Sequence, residues 1–511
     1  MFSGLADLGT AYLGFLNPTS IALGLGGALL GIIVGILPGL SATLVIALLT
    51  TVTIKLPANN AILVLICSYV GALYGGSRTA ILLNIPGTAA NAASCADGYA
   101  LAQRGEAGRA IGIATSGAFS GTLFGVICLA LFTPSLAEVA LSFGAFEFFW
   151  LALFGVVISG SIVGDDPIKG WLMGALGLFL AQIGQEGIYA HNRFTFGWDE
   201  LSGGISLIPA LVGAFGLAEV LTTLADPLEK KLVEVKDSVL PRFREVFQYW
   251  RTVLRSGIIG VGTGLLPGVG EDAGAWMSYA AAKATTKEKA LFGKGSIDGL
   301  MAAETGDMAS IPGHIIPALA LGIPGSAPSA VLLAAMIIHG IQPGPMMMIT
   351  HPQFVYEVVA MTSLATVSIL FFGLFLVRPL LIVLRIRRTV LMPVVYVLCT
   401  VGAFASASRL FDVYAMLVIG IGAFFLRRRG YQMAPFVLGM VLGPLLDKSL
   451  RRGLVLSDGS LTPFFSRPIS LTLATVTIFT MLLYVPAFKR GVLGLTSGAS
   501  ALLRSLFGRG S

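Results

Sequence analysis

Gly35-Ile36-Leu37-Pro38-Gly39 returns as Gly264-Leu265-Leu266-Pro267-Gly268, and Asn84-Ile85-Pro86-Gly87-Thr88-Ala89 returns as Gly322-Ile323-Pro324-Gly325-Ser326-Ala327. The offsets are 267 − 38 = 229 and 324 − 86 = 238, so two Pro-Gly breaks recur in the same order with a small insertion between the copies. Each break interrupts a run apolar enough to lie in a membrane. Proline removes the helical N–H donor and glycine accepts turn conformations, so each break predicts a helix end at membrane depth. Backbone groups released there must be satisfied by protein or by a wet cavity. Paired breaks in two halves are the pattern of a secondary transporter whose site lies at the repeat interface.

The rest of the chain agrees with a membrane setting. It is 55% hydrophobic and 12% charged, with a mean hydropathy of +0.87, against about 25% charged in soluble domains. Glycine supplies 64 of 511 residues, which suits closely approaching membrane helices. Gly27, Gly31, Gly35 and Gly39 share one helix face and predict a tight packing seam. The net charge of +7 resides in short clusters, among them Arg385, Arg387 and Arg388, and Arg427 to Arg429. That is the signature of cytoplasmic loops, and it calls for no nucleic-acid partner. Residues 1–54 hold no Lys or Arg, which predicts an outward-facing N-terminus without a cleaved signal peptide. Cys67, Cys95, Cys128 and Cys399, and the four scattered histidines, have no metal-ligand spacing.

The fold expected is all-α and polytopic, with two inverted-topology repeats, broken helices or re-entrant hairpins, and roughly 11 to 14 helical segments by the length needed to cross a bilayer. Residues 1–225 form the first repeat and 256–490 the second, with a tail over 491–511. The interval 226–255, holding Lys230, Lys231, Lys236, Arg242, Arg244, Arg251 and Arg255, reads as a cytoplasmic linker containing an amphipathic helix. A linker on that side makes the second copy enter from the cytoplasm and the first from outside. Apolar runs are expected at 60–74 and 78–95, among others, separated by Gly75-Gly76-Ser77.

The helix starts that follow the breaks offer free N–H donors and the positive end of a dipole, a ready site for a carboxylate. The candidate substrate-binding residues are therefore Gly39, Ser41 and Thr43; Asn84, Pro86, Gly87 and Thr88; Gly268 and Gly270; and Gly322, Pro324, Gly325 and Ser326. Intramembrane acids mark ion pathways. Asp272, Glu304 and Asp307 are the candidate cation-coupling residues, for Na+ or H+, with no other cofactor and no catalytic residue. Glu271 and Asp272 have a second reading, as partners of Lys283 or Lys294. Arg78, after Tyr74-Gly75-Gly76-Ser77, is expected to snorkel, and Asp97 to sit in a turn.

Several runs carry a family likeness: Tyr74-Gly75-Gly76-Ser77, Asn84 to Ala89, Asp97-Gly98-Tyr99, Arg193-Phe194-Thr195-Phe196-Gly197, His339 to Pro345, Pro435 to Gly439 and Ser466 to Ser470. Together they resemble the large permease subunit of the tripartite tricarboxylate transporters, TctA type. The resemblance implies a bacterial inner-membrane, cation-coupled importer of a small organic carboxylate, of the di- or tricarboxylate class. It also implies a small TctB-type membrane subunit and a periplasmic TctC-type solute-binding protein as partners. Glu271, Asp272 and Asp307 depart from the family pattern, and their added charge disfavours citrate. Two other classes stay open: an intramembrane enzyme using Asp165-Asp166 or Glu304 and Asp307 as an acid pair, and a passive anion channel.

Overall fold

A computed structural model of the protein describes residues 2–37, 40–162, 166–186, 190–225, 233, 235, 237–241, 243–385 and 388–483. The chain is an all-α polytopic membrane protein. Among the described residues, eight helices are long and apolar enough to cross a membrane, and five more apolar helices of 10–17 residues are shorter. These two sets together match the number of segments expected.

The first half begins with α1 (Phe2–Phe15) and α2 (Pro18–Ile36), then the first break and α3 (Ala42–Thr53). It continues with α4 (Ala58–Leu83), the second break, α5 (Ala92–Gln103), α6 (Ala107–Ala140), α7 (Ala145–Ile162) and α8 (Pro167–Ala181). A two-residue hairpin pairs Gly184–Gln185 with Asn192–Arg193, and α9 (Leu207–Ala225) closes the half with a π-helical stretch at Val212–Leu217. The second half repeats this order as α10 (Trp250–Gly264), break, α11 (Gly270–Thr285), α12 (Ile297–Leu321), break, α13 (Ala327–Ile338) and α14 (Gln353–Phe375). It ends with α15 (Arg388–Ala407), α16 (Leu410–Arg428), α17 (Met433–Leu456) and α18 (Pro468–Leu483).

Local signals set these boundaries. Asn17 caps α2 by accepting the Ser20 N–H at 2.8 Å, with Pro18 in the first turn where its missing donor costs nothing. Asn84 (φ 52°) and Gly322 (φ 71°) end α4 and α12 in the left-handed conformation at equivalent positions. Gly75 and Gly76 lie inside α4, so 60–83 is one helix rather than two runs parted at Gly75-Gly76-Ser77. These glycines are needed for contact: a Cβ on Gly75 would lie 2.6 Å from the Ile32 carbonyl of α2.

The glycine stripe is a packing seam, and it is doubled. A Cβ on Gly31 would stand 2.3 Å from the Ser68 carbonyl, and one on Gly35 2.1 Å from that of Ala72, so α2 and α4 touch backbone to backbone. In the second half a Cβ on Gly260 (31 + 229) would meet the Gly306 carbonyl at 2.4 Å, and one on Gly264 (35 + 229) that of Ser310 at 2.7 Å. The repetition therefore extends from sequence to van der Waals contact.

The two halves interlock. α6 of the first lies along α10 and α12 of the second, and α14 of the second lies along α2 and α4 of the first. The hairpin α7–α8 packs on α17, while α15–α16 pack on α9. Arg193, in the second strand of the β-hairpin, makes two hydrogen bonds, at 3.1 and 3.0 Å, to the Asp447 carboxylate of α17. Within 226–255, a short helix spans Phe243–Gln248 and α10 already starts at Trp250. Asp237 accepts the Gly108 and Arg109 N–H groups, docking this interval on the N-terminus of α6.

Candidate functional site

Residues that follow each of the four breaks meet. A cavity of about 160 Å³ is lined by Ser41 and Thr43 after the first, Thr88 after the second, Gly268, Gly270, Glu271 and Asp272 after the third, and Ser326 after the fourth. The packing of α3 against α13, and of α5 against α11, brings the tips of one half to those of the other. Three helices start at this cavity. Ser41 caps α3 by accepting the Leu44 N–H at 3.3 Å. Ser326 and Ser329 form a reciprocal capping box on α13. α11 starts at Gly270 (φ 75°), two residues after another left-handed glycine, Gly268 (φ 77°).

The other candidates shape the tips. Gly87 donates to the Gly76 carbonyl at 3.3 Å, and a Cβ on Gly87 would stand 2.4 Å from the Gly76 Cα, so the two backbones approach closely. Gly325 accepts the Gly270 N–H at 3.2 Å, tying the fourth break to the third. Pro324 is buried beside it, Gly322 ends α12, and Pro86 is exposed. Gly39 lies outside the described residues. Asn84 is exposed at the end of α4 and does not line the cavity.

The acids fall into two layers. Glu271 and Asp272 line the cavity in the first turn of α11. Neither follows the lysine reading: the ionisable partner of Glu271 is His314, whose Nδ1 is 3.8 Å from Oε2. Glu304 and Asp307 lie behind the cavity on α12 and are buried. Glu304 accepts the Ser94 hydroxyl at 2.5 Å and stands 4.0 Å from Arg78. Asp307 accepts the Asn91 amide at 3.1 Å, and Asn91 in turn accepts the Thr88 hydroxyl at 3.0 Å. A chain of polar contacts thus joins a cavity hydroxyl of the first half to an acid of the second. Glu304 and Asp307 are thus each held by a different residue of α5 or its approach. Of the other proposed pair, Asp166 caps α8 at the surface and Asp165 lies outside the described residues.

Two residues correct the sequence expectation. Arg78 does not snorkel. It is buried, with its guanidinium 4.1 Å from the Tyr74 ring centroid and hydrogen-bonded to the Ile111 carbonyl, Thr115 and Ser77. The hydroxyls and carboxylate around it make burial tolerable. Asp97 is inside α5, not in a turn, and its Oδ1 accepts the N–H groups of Gly293, Gly295 and Ser296, each at 2.8 Å, fixing the entry to α12.

Sequence reasoning did not single out Phe215, in the π-helical stretch of α9, nor Ala434 and Leu438 of α17, which also line the cavity. It also missed Tyr69, Asn91 and His314. The repeat offset could have found two of them: 307 − 69 = 238 and 329 − 91 = 238. Tyr69 and Asp307 occupy equivalent places and reach the opposite tips alike, Tyr69 sharing a 3.1 Å hydrogen bond with Ser326.

The model of the family described as "Tripartite tricarboxylate transporter TctA family" matches residues 21–438. An uncharacterised 52.8 kDa protein of the TAR-I ttuC' 3' region of Agrobacterium vitis is 35% identical over 477 residues, covering 93% of this chain and 95% of the relative. An uncharacterised protein of the TAR-II ttuC' 3' region of the same organism is 34% identical over 210 residues, 41% of this chain and 87% of the relative. No solved structure matches the chain.

Proposed function

The chain belongs to the tripartite tricarboxylate transporter TctA family, and from that premise we propose that it imports a small organic carboxylate across a bacterial inner membrane by cation-coupled alternating access. The observation that carries the reading is the meeting, in one cavity, of residues that follow each of the four breaks. Three helix N-termini and the hydroxyls of Ser41, Thr43, Thr88 and Ser326 supply donors for a carboxylate without a fixed cation. The volume of about 160 Å³ is below the 300–1,000 Å³ of drug-sized sites, which favours a compact ligand. Glu271 and Asp272 oppose accumulated negative charge, so a dicarboxylate suits the site better than citrate.

Family membership supports the two partners: a small TctB-type membrane subunit and a periplasmic TctC-type binding protein that delivers the ligand. The test is uptake by the three-part system in proteoliposomes, with radiolabelled acetate, succinate and citrate and imposed ion gradients. Gradient-dependent accumulation, strongest for succinate, is expected. Downhill equilibration that ignores gradients and the binding protein would instead identify a channel.

A further inference from the structure

The two halves differ where their symmetry predicts a match. Gly76 and His314 are equivalent (314 − 76 = 238), as are Ala42 and Glu271 (271 − 42 = 229). Packing confirms the first pairing. A Cβ on Gly87 would meet the Gly76 Cα at 2.4 Å and the Gly35 carbonyl at 3.2 Å, and a Cβ on Gly325 would meet the His314 Cδ2 at 2.5 Å and the Gly264 carbonyl at 2.8 Å. Where the first half has a glycine and an alanine, the second therefore places an imidazole and a carboxylate.

His314 is fully buried against the fourth break, with its Nδ1 3.8 Å from Glu271 Oε2. Neither ring nitrogen nor Oε2 makes a hydrogen bond of good geometry to any described residue; the polar groups that approach are the Gly270 backbone, beside His314, and the Ser326 side chain, beside Glu271. Glu271 opens onto the cavity, whereas His314 stands behind it. Buried polar atoms left without partners are costly in a packed interior, and this pair faces itself at the ligand site.

We propose that the Glu271–His314 pair is the coupling site of the permease and that the ion it carries is a proton. This rests on the import reading above. Sodium, a hard cation, seeks a shell of oxygen ligands, whereas an imidazole opposite one carboxylate is suited to share a single proton. With that proton the pair is net neutral. Without it, Glu271 adds its negative charge to the cavity wall beside Asp272, and an entering carboxylate meets one more like charge in a low dielectric. Proton and carboxylate thus favour each other's binding, and the coupling is reciprocal.

The surrounding ionisable groups leave this role open to the pair. On α11 the neighbour is Asp272; from α12 it is Asp307, held by Asn91; from α4 it is Tyr69, held by Ser326. α13 carries no charged residue, and the arginines of α10, Arg251 and Arg255, lie at its opposite end. Among the described residues, no Lys or Arg pairs with Glu271.

The three-part system in sodium-free proteoliposomes tests this with radiolabelled acetate, succinate and citrate. An exterior one pH unit more acidic than the lumen should drive about tenfold accumulation per coupled proton in the unaltered protein. His314→Gln should lose this accumulation yet still exchange labelled for unlabelled probe. Glu271→Gln should exchange at a rate no longer dependent on pH. The proposal is overturned if His314→Gln still accumulates probe, if Glu271→Gln exchange follows pH as the unaltered protein does, or if accumulation needs a sodium gradient and ignores pH. Uptake of no probe under any gradient would contradict the import reading itself.

Discussion

At the scale of single residues, the fold depends on what glycine omits. A methyl group at Gly35 would press into the Ala72 carbonyl, a backbone atom that cannot swing aside, whereas Gly26 in the same helix has nothing within 4 Å. Gly35→Ala should cost roughly 1–3 kcal/mol, as overpacking does, while Gly26→Ala should be neutral or gain up to about 1 kcal/mol from helix propensity. Thermal melts of the detergent-purified variants check the contrast, and equal melting temperatures would contradict it. Asp97 is the opposite case, a side chain that does the work of several. Removing it as Asp97→Ala releases three N–H groups at the entry to α12, of which that of Ser296 is buried, and an unsatisfied buried donor costs about 1–3 kcal/mol. A sharp loss of folded yield is expected; an unchanged melt would show the clamp to be dispensable.

At the scale of elements, the decisive units are the broken helices. The breaks were legible because Pro and Gly act locally, and the same chemistry stops a helix whatever surrounds it. The convergence of Ser41, Thr88, Gly270 and Ser326 in one cavity was legible only as a consequence of the repeat. Asn84 shares a motif with Thr88, yet it ends α4, is exposed and does not line the cavity, while Thr88 begins the approach to α5. Arg78 and Asp97 were misread for a related reason. Whether a charge is exposed or buried depends on partners distant in sequence, here Glu304 and the loop 293–296, which no local pattern reveals. The element-scale prediction is that Thr88→Phe and Ser326→Phe abolish carboxylate uptake while membrane insertion persists, and Asn84→Phe retains it. Normal uptake in the first two variants would remove the tips from the site.

At the scale of the molecule, the halves cannot be taken apart. α6 and α14 each lie on the other half, and so do the hairpins α7–α8 and α15–α16. Residues 1–225 alone should therefore fail to give a monodisperse protein, and co-expression with residues 226–511 should restore it. A well-behaved isolated half would contradict the interlock. The opposed orientation of the copies is testable by fusing a cytoplasm-active reporter near Lys55 and near Lys236: signal is expected only from the second, and signal from both would refute inversion. If the reporters find the copies inverted, two interlocked copies of one broken-helix unit give a fold with two nearly equivalent arrangements, the physical basis of alternating access. The sequence differences between copies, chiefly Glu271 and His314, are what can tie those arrangements to an ion.

The central claim is that the tips of both halves form one carboxylate site. Thiol protection tests it most directly, in a chain whose half-buried Cys95 is replaced by Ser and which carries Ser41→Cys, Thr88→Cys or Ser326→Cys in turn. Labelling by a small maleimide is measured with and without the probe, among acetate, succinate and citrate, that the system accumulates. The account predicts that this probe slows labelling at all three positions and leaves Asn84→Cys unaffected. Unchanged labelling at all three, alongside intact uptake, would contradict it.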